Sequence, residues 1–285
     1  MFMSHQTIRR RGLVAGLAAS GFAFAGGTRA EPASAWDQVA SSSRIRVGLI
    51  PNRAPYQWLE GGKVRGFIDT MTRDFVAKLG AQMGKTIEIE YVQTSNQTVV
   101  LDLQANRIDS YIPLTVTKER EAAIGMYGPL YLMPVVAFNR NGFNPGSRWD
   151  DYNKPGVRIA VVMGTTDELA ARKHLTAATI RGMKSTSEAV LEVQSGHSDA
   201  VVMGLLLGLI GVKKNANLGE ITLLQPVDAP PSAGGVRKDG DGRFLNFMQD
   251  WATGYQKAGG STSAILTAMK DAGLSVDKIP SGVSF

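Results

Sequence analysis

The stretch LDLQANRIDSYIPL, residues 101–114, returns as LEVQSGHSDAVVMG, residues 191–204, aligned without a gap. Leu101 and Leu191, Gln104 and Gln194, and Asp109 and Asp199 are identical pairs; Asp102/Glu192, Leu103/Val193 and Ile112/Val202 are similar ones. Each copy reads as the end of a helix, a tight turn, an aspartate and a hydrophobic strand. Repetition of one supersecondary unit predicts two lobes of like construction. Asp109 and Asp199 each precede a strand in equivalent turns, where they are expected to cap the turn. Placed in different lobes, they lie too far apart for paired acid–base work.

Around the repeat, strand and helix patterns alternate. RIRVGLI (44–50) is a β-rich run closed by Pro51 and Asn52. The apolar positions Ile68, Met71, Phe75, Val76 and Leu79 have the spacing of an amphipathic helix. TIEIEYV (86–92) alternates like a strand, TVVLDLQAN (98–106) suits a helix and IDSYIPL (108–114) a buried strand. KPGVRIAVVMG (154–164) opens a second set of strand, helix, strand, helix and strand that reaches residue 203. Such alternation predicts an α/β fold with parallel sheets and right-handed crossovers. AVVMGLLLGLIGV (200–212) is too short for a membrane span and reads as a buried strand and helix. Phe244, Phe247, Met248 and Trp251 form a helical stripe expected to pack into the core.

In open α/β sheets ligands collect beyond the carboxyl ends of the strands. In the first lobe that edge is Pro113–Arg120, with Thr117 as a helix cap. Arg120 then falls in the first helical turn, where the helix dipole disfavours a cation. Either it is a solvated arginine beside Glu119 or Glu121, or it joins the amides in holding an anion. In the second lobe the edge is GTTDE (164–168), a small-residue turn with hydroxyls that opens a helix. If the lobes face each other, Arg120 and Thr115 meet Thr165 and Thr166 across a cleft.

The chain has 285 residues, 31 bases and 25 acids. Arg9, Arg10 and Arg11, an uncharged Ala/Gly-rich run over 12–27 and a small-residue site near Ala30 have the form of an export signal. The arginine run also suggests the twin-arginine route beside the general secretory one. Removal of residues 1–30 takes away four arginines and no acid, leaving 27 bases against 25 acids. So even a balance gives no support to nucleic-acid binding. The chain has no cysteine and three histidines, His5, His174 and His197, scattered in sequence. Neither thiol chemistry nor a cysteine or histidine metal site is expected, and no cofactor-binding or catalytic motif stands out.

The order of these segments resembles the periplasmic solute-binding proteins of ABC importers, in the polar amino-acid-binding family (bacterial extracellular solute-binding proteins, family 3). IRVGLIPNRAPYQW resembles the opening strand and the family's Pro-Phe turn, here Pro55-Tyr56. GGKVRGFIDTMTRDFVAKLG, LQANRIDSYIPLTVTKERE, GPLY, GVRIAVVMGTTDELA, VQSGHSDAVVM and GGVRKDGDGRFLNFMQDWATGYQKAGG match later blocks in order. The resemblance implies a type II periplasmic-binding-protein-like fold of two α/β lobes joined by two hinge strands, near Val135–Asn139 and Gln225–Pro230. The expected division is an export signal at 1–30, a linker at 31–43, the first part of lobe 1 at 44–136, lobe 2 at 137–228, and a return to lobe 1 with C-terminal helices at 229–285.

It further implies a periplasmic monomer that hands a small carboxylate-bearing ligand to a membrane permease. Arg120 would clamp the ligand's α-carboxylate, helped by Thr115 and by Gly164 to Thr166. Tyr56 and Asn96 stand at positions that face or cover the ligand, and Arg53 stands at one commonly aromatic. There it either rims the cleft or favours a more anionic ligand. The family's ammonium-binding acids align with Ile50 and Gly204. So either another acid does that work, with Asp69 a candidate, or the ligand lacks the amino group. Asp69 also suits a helix N-terminus with no ligand at all. The same scaffold carries enzymes of the cyclohexadienyl dehydratase type, which need a general acid where this chain reads Gly204-Leu205. A receptor's sensory module is a third possibility that nothing in the sequence favours.

Overall fold

The computed structural model describes residues 33–214, 218–279, 283 and 285, and the expected export signal lies outside them. The first part of lobe 1 runs α1 (Ala35–Ser42), β1 (Arg44–Leu49), β2 (Trp58–Glu60), β3 (Lys63–Arg65), α2 (Phe67–Met83), β4 (Glu88–Gln93), α3 (Val99–Gln104), β5 (Ser110–Thr115), α4 (Lys118–Ala123) and β6 (Gly125–Leu132). Lobe 2 follows with β7 (Val135–Arg140), α5 (Trp149–Tyr152), β8 (Arg158–Val162), α6 (Thr166–His174), β9 (Thr179–Met183), α7 (Thr186–Gln194), β10 (Ala200–Gly204), α8 (Leu205–Lys214) and β11 (Leu218–Leu223). The chain then returns with β12 (Pro231–Val236), α9 (Arg243–Lys257) and α10 (Gly260–Asp271).

Hydroxyl caps set several helix starts: the side chains of Thr117, Thr165 and Ser185 accept the amides of Arg120, Glu168 and Glu188. Helix α2 buries Phe67, Ile68, Met71, Phe75 and Leu79 on the predicted face. It stops at Gly84, whose φ of 65° is cheap only without a Cβ. On α9, Phe244, Met248 and Trp251 are buried, and Phe247 lies edge-on to Trp36. Residues 200–214 form β10 and α8, and no helix among the described residues is long and apolar enough to cross a membrane.

The two five-stranded sheets have corresponding strand orders, β4-β1-β5-β12-β6 and β9-β8-β10-β7-β11. The repeated segment forms α3–β5 in one lobe and α7–β10 in the other. The alternation predicted parallel sheets, but both sheets are mixed. β12 runs antiparallel to β5 and β6, and β7 antiparallel to β10 and β11. β7 and β12 are the strands that enter from the opposite lobe, so no crossover helix forces them parallel.

Asp109 and Asp199 do something other than cap their turns. Asp109 accepts the backbone amide of Arg46 at 2.7 Å and its Nε at 3.1 Å. Asp199 accepts the amide of Arg158 at 3.0 Å and its Nε at 3.0 Å. Each aspartate therefore ties the start of its repeat strand, β5 or β10, to the strand paired beside it, β1 or β8.

The boundaries also move. Within the expected linker, Ala35–Ser42 is a helix that buries Ala35 and Val39. The first passage between sheets is at Met133-Pro134, since Val135–Asn139 is already buried strand paired to β10. That apolar run has a sheet to join, and a buried strand satisfies its amides better than a bare hinge. The return passage covers residues 224–230, between β11 and β12.

Candidate functional site

The carboxyl ends of β1, β5, β8 and β10 meet at a cavity of about 70 Å³ between the lobes. Its polar wall comes from Arg53, Tyr56, Thr115, Arg120, Thr166 and Asp167.

Arg120 is not a solvated arginine, and among the described residues it forms no ion pair with Glu119 or Glu121. Its amide is held by the Thr117 hydroxyl at 3.2 Å, which fixes the backbone of α4. Its Nη1 donates to the Thr115 carbonyl at 2.9 Å and its Nη2 to the Gly164 carbonyl at 3.3 Å. Burial lowers its pKa from the usual arginine value. Two neutral carbonyls orient the guanidinium without cancelling its charge, and its other donors stay open.

Across the cavity the Thr165 hydroxyl donates to the Val162 carbonyl at 2.7 Å and accepts the Glu168 amide, so it is committed to capping α6. The Thr166 hydroxyl lies 2.9 Å from that of Thr115. Gln97 Nε2 donates to the Met163 carbonyl at 2.8 Å, a third contact joining the lobes. Asn96 approaches through its backbone: a Cβ on Gly164, where φ is 77°, would come within 3.1 Å of the Asn96 carbonyl oxygen.

Arg53 sits on a tight loop closed by reciprocal backbone bonds with Gln57. Its guanidinium lies 5.1 Å from the centre of the Tyr56 ring, and Nη1 donates to the Tyr111 hydroxyl at 3.2 Å. Its Nε is buried with no partner among the described residues. Burial raises the pKa values of Tyr56 and Tyr111, so both are neutral donors and acceptors.

The cavity thus gathers Arg120, Thr115, Thr165, Thr166, Arg53, Asn96 and Tyr56. It does not gather Asp69, whose carboxylate binds Arg73 Nε at 2.9 Å and the Tyr91 hydroxyl within lobe 1. The acid that does reach the cavity is Asp167, which sequence reasoning passed over. Its Oδ2 accepts the Gly204 amide at 3.0 Å. Burial raises its pKa from 3.8 to about 6, against the opposing effects of the Gly204 amide, Arg53 and Arg120. An acid in a first helical turn has an ordinary explanation in the helix dipole, and that explanation hid it. The available signal was its place directly after the Gly-Thr-Thr turn already assigned to the cleft.

A model of the bacterial extracellular solute-binding proteins, family 3, matches residues 45–259. The chain is 25% identical over 170 residues to a probable histidine-binding protein of Campylobacter jejuni, a match that spans 59% of this chain and 63% of that protein. It is 23% identical over 249 residues to the L-cystine-binding protein of Escherichia coli K12, covering 87% of each. Among solved structures, an amino acid ABC transporter substrate-binding protein of Streptococcus pneumoniae bound to L-arginine superposes with a TM-score of 0.73. That pair is 23% identical, covering 85% of this chain and 99% of the other. An ancestral amino-acid-binding protein, described as a precursor of cyclohexadienyl dehydratase, gives a TM-score of 0.71 at 24% identity, covering 84% and 99%. These likenesses share the two-lobed fold of type II periplasmic binding proteins.

Proposed function

The chain belongs to the bacterial extracellular solute-binding proteins of family 3, and we propose that it is the exported binding component of an ABC importer. Its solute is a small carboxylate-bearing molecule, an amino acid or close analogue, captured as the lobes close. The observation that carries this reading is the Arg120 guanidinium, held by the carbonyls of Thr115 and Gly164 with donors left for the cavity. A carboxylate meeting such a fork in a partly dry cleft makes a strong, directional contact. The Thr115 and Thr166 hydroxyls, now bonded to each other, would turn to the same carboxylate. The names of the relatives support an amino-acid-like solute.

In this reading the protein works in the periplasm as a monomer after its signal is removed by either export route, with no metal or cofactor. Lobe closure around the solute presents a continuous face to the membrane permease. A thermal-shift screen of the purified protein against amino acids and their deaminated counterparts tests it. A solute at about 100 times its Kd adds about 2.7 kcal/mol to folding stability, and Arg120→Ala should abolish that gain. Stabilisation that survives in Arg120→Ala would sink the carboxylate clamp.

One observation favours a second reading, a cyclohexadienyl-dehydratase-like enzyme. The Asp167 carboxyl, with a pKa raised by burial to about 6, is a group that can donate a proton near neutral pH. Turnover of a cyclohexadienyl carboxylate by the wild type, lost in Asp167→Asn, would establish it; an unchanged substrate would remove it.

A further inference from the structure

We infer that the solute is an α-amino dicarboxylate of the aspartate and glutamate class, held at three points: α-carboxylate on Arg120, ammonium on Asp167 and second carboxylate on Arg53. This rests on the binding reading above and deepens it.

The argument begins with charge. Among the lining residues the charged side chains are Arg53, Arg120 and Asp167. Two cations and one anion leave a positive excess, and a ligand bearing two carboxylates and one ammonium cancels it. A cationic amino acid would instead bring a third positive group beside two guanidiniums, a like-charge juxtaposition that selects against it. A dicarboxylate without an amino group would meet the Asp167 carboxylate with nothing to offer it. Asp228 bears on Asp167 electrostatically but is not among the residues that line the cavity.

The second strand of the argument is unmet bonding capacity. Arg53 Nε is buried and has no acceptor among the described residues, a costly state for a charged donor that a ligand carboxylate would relieve. Asp167 accepts one bond, at Oδ2, from the Gly204 amide; its other oxygen accepts none from the described residues and is available to an ammonium. A Cβ on Gly204 would come within 3.1 Å of Met133 Cγ and 3.6 Å of the Tyr56 hydroxyl, so the glycine lets these side chains pack close to the end of β10.

The test is titration calorimetry of the purified protein with L-aspartate, L-glutamate, their amides, glutarate and L-arginine, repeated on Arg53→Gln, Asp167→Asn and Arg120→Ala with circular dichroism as the folding control. The expected result is an acidic amino acid bound at least about tenfold tighter than its amide, glutarate or L-arginine, a gap of about 1.4 kcal/mol. Arg53→Gln should erase the preference for acid over amide, and Asp167→Asn should weaken the acidic amino acids while sparing glutarate. A neutral or cationic amino acid bound more tightly, with binding lost in Arg120→Ala, overturns this inference and leaves the carboxylate clamp standing. Binding indifferent to Arg120→Ala overturns both, and no binding by any member of the panel overturns this inference.

Discussion

Asp167 Oδ2 accepts the amide of Gly204 at 3.0 Å, so an acid from the first turn of α6 stands at the end of β10. Burial there raises its pKa from 3.8 to about 6. The unfolded chain releases this proton near pH 3.8, whereas the folded one keeps it to about pH 6. Wild-type stability therefore carries a penalty that grows as pH rises through that window and is flat above it. A displacement of this size corresponds to about 3 kcal/mol. Asp167→Asn, which keeps an oxygen for the Gly204 amide, should match the wild type near pH 4 and melt higher at pH 7. Thermal unfolding at several pH values checks this, and equal melting curves at pH 7 would contradict it.

Arg120→Ala should weaken a carboxylate solute by roughly 2–5 kcal/mol, because the ligand's charge is left without its directional partner. Arg120→Lys should fall between the two, since an ammonium cannot reproduce the fork that the Thr115 and Gly164 carbonyls now orient. Calorimetric Kd values for the three proteins decide the matter, and equal affinity for alanine and lysine would speak against a bidentate contact.

Asp109→Ala and Asp199→Ala should each lower stability by about 1–3 kcal/mol, the scale for leaving buried hydrogen-bond donors without their acceptor. The pairs involved are with Arg46 and Arg158. Burial opposes ionisation of Asp199, but the Arg158 and Arg140 hydrogen bonds outweigh it and hold its pKa below 3.8. Its contribution is therefore complete above that value and lost as pH falls below it. Urea unfolding should show both losses while the solute Kd stays within about twofold, since each aspartate precedes β5 or β10 and the cavity lies at the carboxyl ends of those strands with no shared partners. A large change in Kd with stability intact would place either aspartate in the binding site.

Gly164→Ala should reduce affinity with only a small loss of stability, of about 1 kcal/mol. The residue adopts φ 77°, and a Cβ would press on the Asn96 carbonyl oxygen at 3.1 Å, across the seam between lobes. The strain would thus fall mainly on the lobes in contact. Small-angle scattering with and without solute should show the variant more open than the wild type; identical profiles would refute this.

Much of this molecule was legible in the sequence where one residue's role is set by its neighbours along the chain. Thr117 and Thr165 cap helices because hydroxyls do so locally, and α2 buries its apolar stripe because periodicity dictates a face. Arg120 could be singled out because a cation in a first turn needs a reason. The failures share a different cause. Asp109 and Asp199 find their arginines 63 and 41 positions away, and Asp69 on α2 finds Tyr91 on β4. Val135–Asn139 becomes strand because β10 lies beside it. Each of these depends on tertiary neighbours that spacing alone does not reveal.

The position of β12 between β5 and β6 has a consequence for assembly. Lobe 2 is one continuous piece of chain ending at Leu223, and every strand of its sheet has been synthesised by then. The sheet of lobe 1 at that moment still has a gap between β5 and β6, which only residues 231–236 can fill. Contacts between distant segments form late, because loop closure must precede any gain from pairing. The lobe that comes second in the sequence is therefore the first able to finish folding, and the lobe that begins the chain waits for its end.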